Sequence, residues 1–409
     1  MIKLLIGGSP CTFWSIAQKN GRETKAEGLG WELFKNYLIA KEKFKPDFFL
    51  YENNKSASQE IKDQISEELD VDLMYINSAL VSAQNRQRFY AFNWEVEQPE
   101  DRGILLKDIL ELSASVVEKE KAYCLCTDHV GTTRDYFKKH QSQVVFEPIS
   151  VNPLASGKAR TITKGYANKG VKHIIDSNAS PNTSKQQWDC VAEPVRVGDI
   201  GSEAQAHRVY SCYGKTVTLS ANGGGQGGKT GLYLVPVPEE LKNLVCDKGK
   251  IYEVINGNIS TKFGDFNVNL PDGLYLIRKL TVTECCRLQT LPDDYCRAVS
   301  NTQAYKGLGN GWTAEVIIHI LNGALKDIPR DEEIVVLSMY DGIGTGRYCL
   351  DKMGFTNVKY YAYEIDPYPI KVAMDNYPDI IQCGDAFAVR NDDWKPPQTR
   401  SEWLDDLLG

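Results

Sequence analysis

A chain of 409 residues with 42% apolar content can bury a sizeable core, and its length suits two or three domains. Charged residues make up 25% and the net charge is −7, which argues against a protein that coats nucleic acid indiscriminately. The eleven cysteines are odd in number and lack metal spacing, since Cys124-Leu-Cys126 and Cys285-Cys286 have no CxxC or His partners; no metal site is expected, and a reducing cytoplasm fits.

Ile2 to Ile6 is a short continuous apolar run, the pattern of a strand buried on both faces of a parallel sheet. It leads into Gly8-Ser9-Pro10-Cys11. Thr12 to Gly30 is polar, contains Gly21, Gly28 and Gly30, and reads as a closing lid carrying Phe13 and Trp14, with a plain surface loop as the alternative. Trp31 to Lys43 has helical spacing, with Leu33, Phe34, Tyr37 and Leu38 on one side. Phe48 to Tyr51 is a second apolar run, and it ends on Glu52-Asn53-Asn54. The unit is strand, helix, strand, so Cys11 and Glu52 both fall at the carboxyl ends of parallel strands, where such sheets keep reactive groups. A lone cysteine is more often a buried structural residue. Paired with a carboxylate, it suits addition to a pyrimidine: a thiolate adds at carbon-6, carbon-5 becomes nucleophilic, and an acid that protonates ring nitrogen-3 eases the addition.

Residues 150 to 235 hold ten Lys/Arg against five Asp/Glu, a local surplus of positive charge within an acidic chain. Such a surface suits phosphate contact, with an ordinary solvated face as the alternative. From 150 to 275, short alternating runs (Thr216 to Leu219, Leu232 to Val237, Ile251 to Ile255) broken by Gly, Asn and Pro predict a small, mostly β domain. Arg160, Arg196, Arg208, Lys215 and Lys229 are its candidate phosphate or base contacts. Gly223 to Thr230 satisfies the P-loop pattern letter for letter, but a P-loop opens a helix and Gly231 to Pro238 reads as a strand; a glycine loop is expected.

Thr313 to Leu325 reads as a helix and Lys326 to Glu332 as a polar linker. A buried strand over Glu333 to Tyr340 then runs into Asp341-Gly342-Ile343-Gly344-Thr345-Gly346 and a helix, Arg347 to Met353, closed by Gly354. Glycines there allow close backbone approach to a ligand. Tyr360 to Tyr363 ends on Glu364, placed to bind ribose hydroxyls, and a third strand end offers Gly384-Asp385. Three such ends suit an adenosine. That alone leaves NAD and S-adenosylmethionine open, but a dehydrogenase has no use for Cys11 and Glu52.

Taken together, these residues resemble the cytosine carbon-5 DNA methyltransferase family over nearly the whole chain. Pro10-Cys11 resembles its motif IV, Glu52-Asn53-Asn54 motif VI, Gln84-Asn-Arg86-Gln-Arg88 motif VIII, and Arg278-Lys-Leu-Thr281 through Glu284-Cys-Cys-Arg287-Leu-Gln289 motif IX. Gly309-Asn310-Gly-Trp312-Thr313 resembles motif X, Asp341 to Gly346 motif I, Glu364-Ile365-Asp366 motif II and Gly384-Asp385 motif III. Members commonly run from motif I to motif X, so an order that begins at IV and ends at III implies a circular permutation through the Lys326 to Glu332 linker.

The resemblance implies an α/β, Rossmann-like, S-adenosylmethionine-dependent methyltransferase sheet, circularly permuted, with a smaller, mostly β target-recognition domain. Residues 1–115 would form the catalytic half, 116–290 the target-recognition domain including motif IX, and 291–409 the cofactor-binding half. It implies that Cys11 is the nucleophile, Glu52 the acid, and Arg88, with Arg86 in support, the contact to a base flipped out of double-stranded DNA. The cofactor, S-adenosylmethionine, would meet Tyr340, Asp341, Gly342, Gly344 and Gly346. Glu364 would bind its ribose, Ile365 its adenine, Asp385 the amino group, and Asn310 and Thr313 its methionine part. Ser9 and Trp14 would join the basic residues on DNA. A cytoplasmic monomer is expected, with no leader, lipidation signal or membrane-long apolar run. Three alternatives stay open: a tRNA cytosine-5 methyltransferase of the same fold, a silent DNA-binding protein, and a variant that transfers a modified group, since Asn54 stands where the family commonly has valine.

Overall fold

The computed structural model of the chain describes residues 1–15, 21–111, 193–199, 208–219, 231–237, 251–261, 264–267 and 270–402. In chain order come β1 (Ile2–Gly7), α1 (Gly28–Phe44), β2 (Phe48–Asn54), α2 (Gln59–Leu69), β3 (Met74–Asn77) and β4 (Gln87–Phe92). Next are β5 (Arg196–Asp199), β6 (Arg208–Ser211), β7 (Leu232–Val237), β8 (Ile251–Ile255), β9 (Asn258–Thr261), β10 (Gly264–Asn267) and β11 (Gly273–Arg278). Three helices follow, α3 (Val282–Leu288), α4 (Asn301–Asn310) and α5 (Ala314–Leu325). The last elements are β12 (Ile334–Met339), α6 (Thr345–Lys352), β13 (Val358–Tyr363), α7 (Pro367–Asn376) and β14 (Ile381–Gly384).

Two compact units result. One comprises Met1–Ile104, Thr218–Asn222 and Cys285–Gly409; the other comprises Leu105–Val217 and Gly223–Glu284. The first contains a sheet of order β14-β13-β12-β1-β2-β4-β3. β1 lies between β12 and β2 and is parallel to both, with Leu4 opposite Val336 and Phe48. Its centre, Leu4, Leu5 and Ile6, has no solvent exposure, as a strand covered on both faces requires. β4 pairs antiparallel with both β2 and β3, which turns the far edge of the sheet. The expected parallel pairing of the first two apolar runs is therefore present, flanked by the strands from the other end of the chain.

Helix α1 starts three residues before its apolar stripe. Its N-cap position, Glu27, gives no side-chain bond; the carboxylate of Glu23 instead accepts from the Gly30 N–H at 3.1 Å, supplying a cap from outside the helix. At the other end Lys45 takes a left-handed φ of 50° and stops it. Trp31, Phe34, Tyr37, Ala40 and Phe44 pack into the core beside the sheet.

The second unit is built on the sheet β10-β9-β8-β11-β7-β6-β5, antiparallel except where β6 meets β7. Val197, Val209, Leu232, Leu234, Val254, Ile259 and Tyr275 form its core. Two of the three runs read from sequence are strands, β7 and β8. Thr216 to Leu219 is not; Thr216 makes only an isolated bridge. The glycine loop at 223–230 lies outside the described residues, and the strand β7 follows it directly. Among the described residues no helix is long and apolar enough to cross a membrane, and no cluster of His, Cys, Asp and Glu could hold a metal ion.

Candidate active site

The end of β1 reaches Glu52 because nothing larger than glycine fits at Gly8, where a Cβ would lie 2.5 Å from the Glu52 carbonyl oxygen and 3.1 Å from its Oε2. The loop that follows is fastened from β2. Ser9 Oγ is 2.7 Å from the Tyr51 hydroxyl, and Asn53 Nδ2 donates to the Ser9 carbonyl at 2.9 Å and to the Tyr51 hydroxyl at 3.1 Å. Burial pushes the Tyr51 hydroxyl above the ordinary tyrosine range, so it stays neutral within this network. Cys11 opens a single 3-10 turn, its carbonyl accepting from the Trp14 and Ser15 N–H groups.

Glu52 is held at both oxygens. Arg88 Nε lies 2.9 Å from Oε1, and the Trp312 indole Nε1 donates to Oε2 at 3.0 Å. Arg86 is only 3% exposed and donates to the Gly309 carbonyl at 3.2 Å and the Gly311 carbonyl at 2.8 Å. Burial and then the neighbouring Arg88 charge lower its pKa from the usual guanidinium range.

A cleft of about 400 Å³ brings these groups together with the other end of the chain. Cys11, Glu52, Arg86 and Arg88 line it, and so do Tyr340, Asp341, Gly342, Glu364, Ile365, Asp385 and Asn310. Tyr340 carries a left-handed φ of 62°, held by its hydroxyl donating to the Leu33 carbonyl at 2.7 Å. Glu364 Oε2 accepts from the Gly342 N–H at 3.0 Å, while Oε1 accepts from Ile365 and Asp366, each at 2.8 Å. Asp385 caps the turn after β14 through the Phe387 N–H at 2.9 Å. Ile365 is 70% exposed.

Several sequence expectations are corrected here. Gly344 and Gly346 do not line the cleft: a side chain at Gly344 would press on Ala373, and one at Gly346 on Ile6 and the Tyr360 hydroxyl, so these glycines serve packing. Thr313 is buried, bonded to Gln289 Oε1 at 2.8 Å and to the Ser78 hydroxyl at 2.9 Å, and does not reach the cleft. Trp14 has no exposure; it packs on Trp31 and its indole donates to Glu23 at 3.2 Å, so it belongs to the core and not to a lid surface. Lys215 is likewise buried, at 1%, whereas Ser9, although 3% exposed, lines the cleft beside Cys11. Arg196 is exposed on β5 and Arg208 half-buried on β6, whereas Arg160 and Lys229 lie outside the described residues. Asn54, the last residue of β2, accepts from the Ser56 N–H at 3.1 Å and so braces the turn that follows, away from the cleft wall. Trp312 was passed over as a site residue, although it sits within the motif X resemblance.

Residues 1–326 match the family of C-5 cytosine-specific DNA methylases. The chain belongs to that family. With this comes its class, the DNA methyltransferases. The type II methyltransferase M.HhaI of Haemophilus parahaemolyticus is 31% identical to this methylase over 151 residues, 37% of this chain and 35% of that protein. The orphan methyltransferase M.SPBetaI of Bacillus phage SPbeta is 26% identical over 331 residues, 69% of this chain and 67% of that one. The orphan methyltransferase M.SPRI of Bacillus phage SPR is 24% identical over 383 residues, 77% and 80% of the two chains. The match thus spans about a third of M.HhaI and two thirds or more of the phage enzymes.

Proposed function

We propose that this methylase transfers a methyl group from S-adenosylmethionine to carbon-5 of a cytosine flipped out of double-stranded DNA. The observation that carries the reading is one cleft lined by Cys11, by Glu52 with its Arg88 partner, and by the glycine turn at Gly342. The residues fit the cofactor. A Cβ at Gly342 or Gly384 meets nothing within 4 Å, so bare backbone faces open space at both strand ends, with left-handed φ values of 65° and 78°. Glu364 Oε1 accepts from two backbone N–H groups and Oε2 from one, so Oε2 keeps a lone pair for a ribose hydroxyl. Ile365 and Phe387 offer exposed apolar surface to an adenine, and buried Asp341 Oδ2 has no partner among the described residues. When bound, the cofactor supplies an electrophilic methyl on a sulfonium.

The chain's own groups do the rest. Cys11 adds to carbon-6 as Glu52 delivers a proton to nitrogen-3, and carbon-5 thereby gains the electron density to take the methyl. Loss of the carbon-5 proton to water, return of the nitrogen-3 proton to Glu52 and expulsion of the Cys11 thiolate restore the ring. Arg88 orients the carboxylate, and Arg86 supports the site from behind. The unit carrying β5 to β11 serves as target-recognition domain in this reading, with Arg196 and Arg208 on DNA phosphate or base. We set the limits of that domain at 116–290, between a catalytic half (1–115) and a cofactor half (291–409), whereas the compact unit itself comprises Leu105–Val217 and Gly223–Glu284. A circular permutation accounts for motifs I to III following motif X. The enzyme acts as a monomer in this reading, and the names of its relatives favour a phage-type orphan or a restriction-system methylase.

Substituting 5-fluorocytosine in duplex DNA blocks release of the thiolate. The wild-type protein should then form a denaturant-stable adduct that Cys11→Ala lacks, and bisulfite sequencing of DNA from expressing cells should show 5-methylcytosine. Absence of both overturns the reading; adducts on RNA alone would establish the tRNA alternative.

A further inference from the structure

We propose that Trp312 is a positioning residue for the catalytic acid, its indole N–H fixing Glu52 Oε2 so that this oxygen carries the proton destined for the base. The inference rests on the function proposed above. An ion pair to one oxygen leaves a carboxylate free to swing about its last bond. Arg88 at Oε1 and the indole at Oε2, 2.9 and 3.0 Å away, fix its plane. Orientation of this kind matters for a proton passed to a ring nitrogen, which accepts only along its in-plane lone pair. The cation beside Oε1 disfavours a proton there. Oε2 has two lone pairs; the indole, a donor only, takes one and leaves the other for the proton.

Trp312 can act this way because the backbone around it is clamped. Gly311 caps the C-terminus of α4, and its carbonyl accepts from Arg86 at 2.8 Å and from Gln289 Nε2 at 3.3 Å. Gln289 also accepts from the Thr313 hydroxyl on the other side at 2.8 Å. Both arginines of Gln84-Asn-Arg86-Gln-Arg88 therefore converge on Glu52, Arg88 by direct contact and Arg86 through the turn that aims the indole. This gives Arg86 a purpose although its hydrogen bonds go to backbone carbonyls.

Trp312→Phe keeps an aromatic ring and deletes the donor. It should lower kcat about tenfold, the loss of one hydrogen bond of ordinary strength in the transition state, and leave KM for DNA and cofactor within about twofold. In a Glu52→Gln background the same substitution should cost nothing further. The indole resonance of Trp312 in a proton–nitrogen NMR spectrum, recognised by its absence from Trp312→Phe, should move in Glu52→Gln. Full kcat in Trp312→Phe, an undiminished extra loss on top of Glu52→Gln, a pure KM effect or an unmoved resonance would each overturn the assignment. If Trp312→Phe fails to fold, Trp312→Tyr supplies the assignment and the comparison of wild type with Glu52→Gln decides alone. Lack of methylation by the wild type would instead count against the function, while the resonance still tests the contact.

Discussion

Asp341 holds one carboxylate oxygen in reserve. Oδ1 accepts from the Ser338 and Tyr360 hydroxyls, each at 2.7 Å, whereas Oδ2 is buried without a partner among the described residues. Burial is the larger effect and pushes its pKa up to about 6, against the two hydroxyl bonds that pull it down. The folded protein therefore binds more protons than the unfolded chain between the ordinary value, 3.8, and about 6. The favourable contribution is full below 3.8 and is lost as pH rises through about 6. Melting curves from pH 4 to 7 should show wild type losing stability relative to Asp341→Asn, by at most about 3 kcal/mol for two pKa units. A cationic ligand reverses the preference, because it favours the ionised form. Calorimetry should accordingly find S-adenosylmethionine binding tightening as pH rises through 6, with the trend flattened in Asp341→Asn.

At the level of elements, the turn from β12 into α6 places each glycine for a different purpose. Gly342 faces the cleft, but Gly346 lies where a Cβ would meet Ile6 of β1 and the Tyr360 hydroxyl of β13. Gly346→Ala must therefore displace the Ile6 side-chain tip and the Tyr360 hydroxyl, loosening the Tyr360 bond to Asp341. It should cost about 1 to 3 kcal/mol, read as a lower urea midpoint at unchanged m-value. This distinction was not legible in the sequence, where the three glycines look alike. What could be read was whatever depends on local pattern. Continuous apolar runs predicted β1, β2, β12 and β13, and strand ends placed Cys11, Glu52 and Glu364 at one edge of the sheet. Properties set by tertiary packing could not be read. Lys215 looks like a surface residue by type and Trp14 by its polar segment, and both are buried. Trp312 looks like core and points its one polar atom at the acid. The start of α1 was missed because its cap comes from Glu23, several residues outside the helix.

For the whole molecule, charge sets how DNA is met. The chain carries −7 overall, so attraction must come from its local basic segment. β5 and β6 are hydrogen-bonded neighbours, with Asp199 opposite Arg208 and Arg196 opposite Tyr210, which brings Arg196 and Arg208 onto adjacent strands. Arg196→Gln and Arg208→Gln should each reduce the slope of log affinity against log salt by about 0.9 on duplex DNA if each neutralises a phosphate. Filter binding over a salt series measures it. Substitution at buried Lys215 should leave the slope alone and lower the melting temperature instead.

The placement of β1 between β12 and β2 also governs how such a chain can be made. The Met1 amine pairs with Glu332, 331 positions along the sequence, and Ile2 aligns with Ile334. During synthesis β2 follows β1 after a single helix, whereas β12 is made only after β11 and α5. The other flank of β1 stays open to unwanted pairing throughout, so nascent chains truncated before β12 should depend on chaperones and aggregate without them.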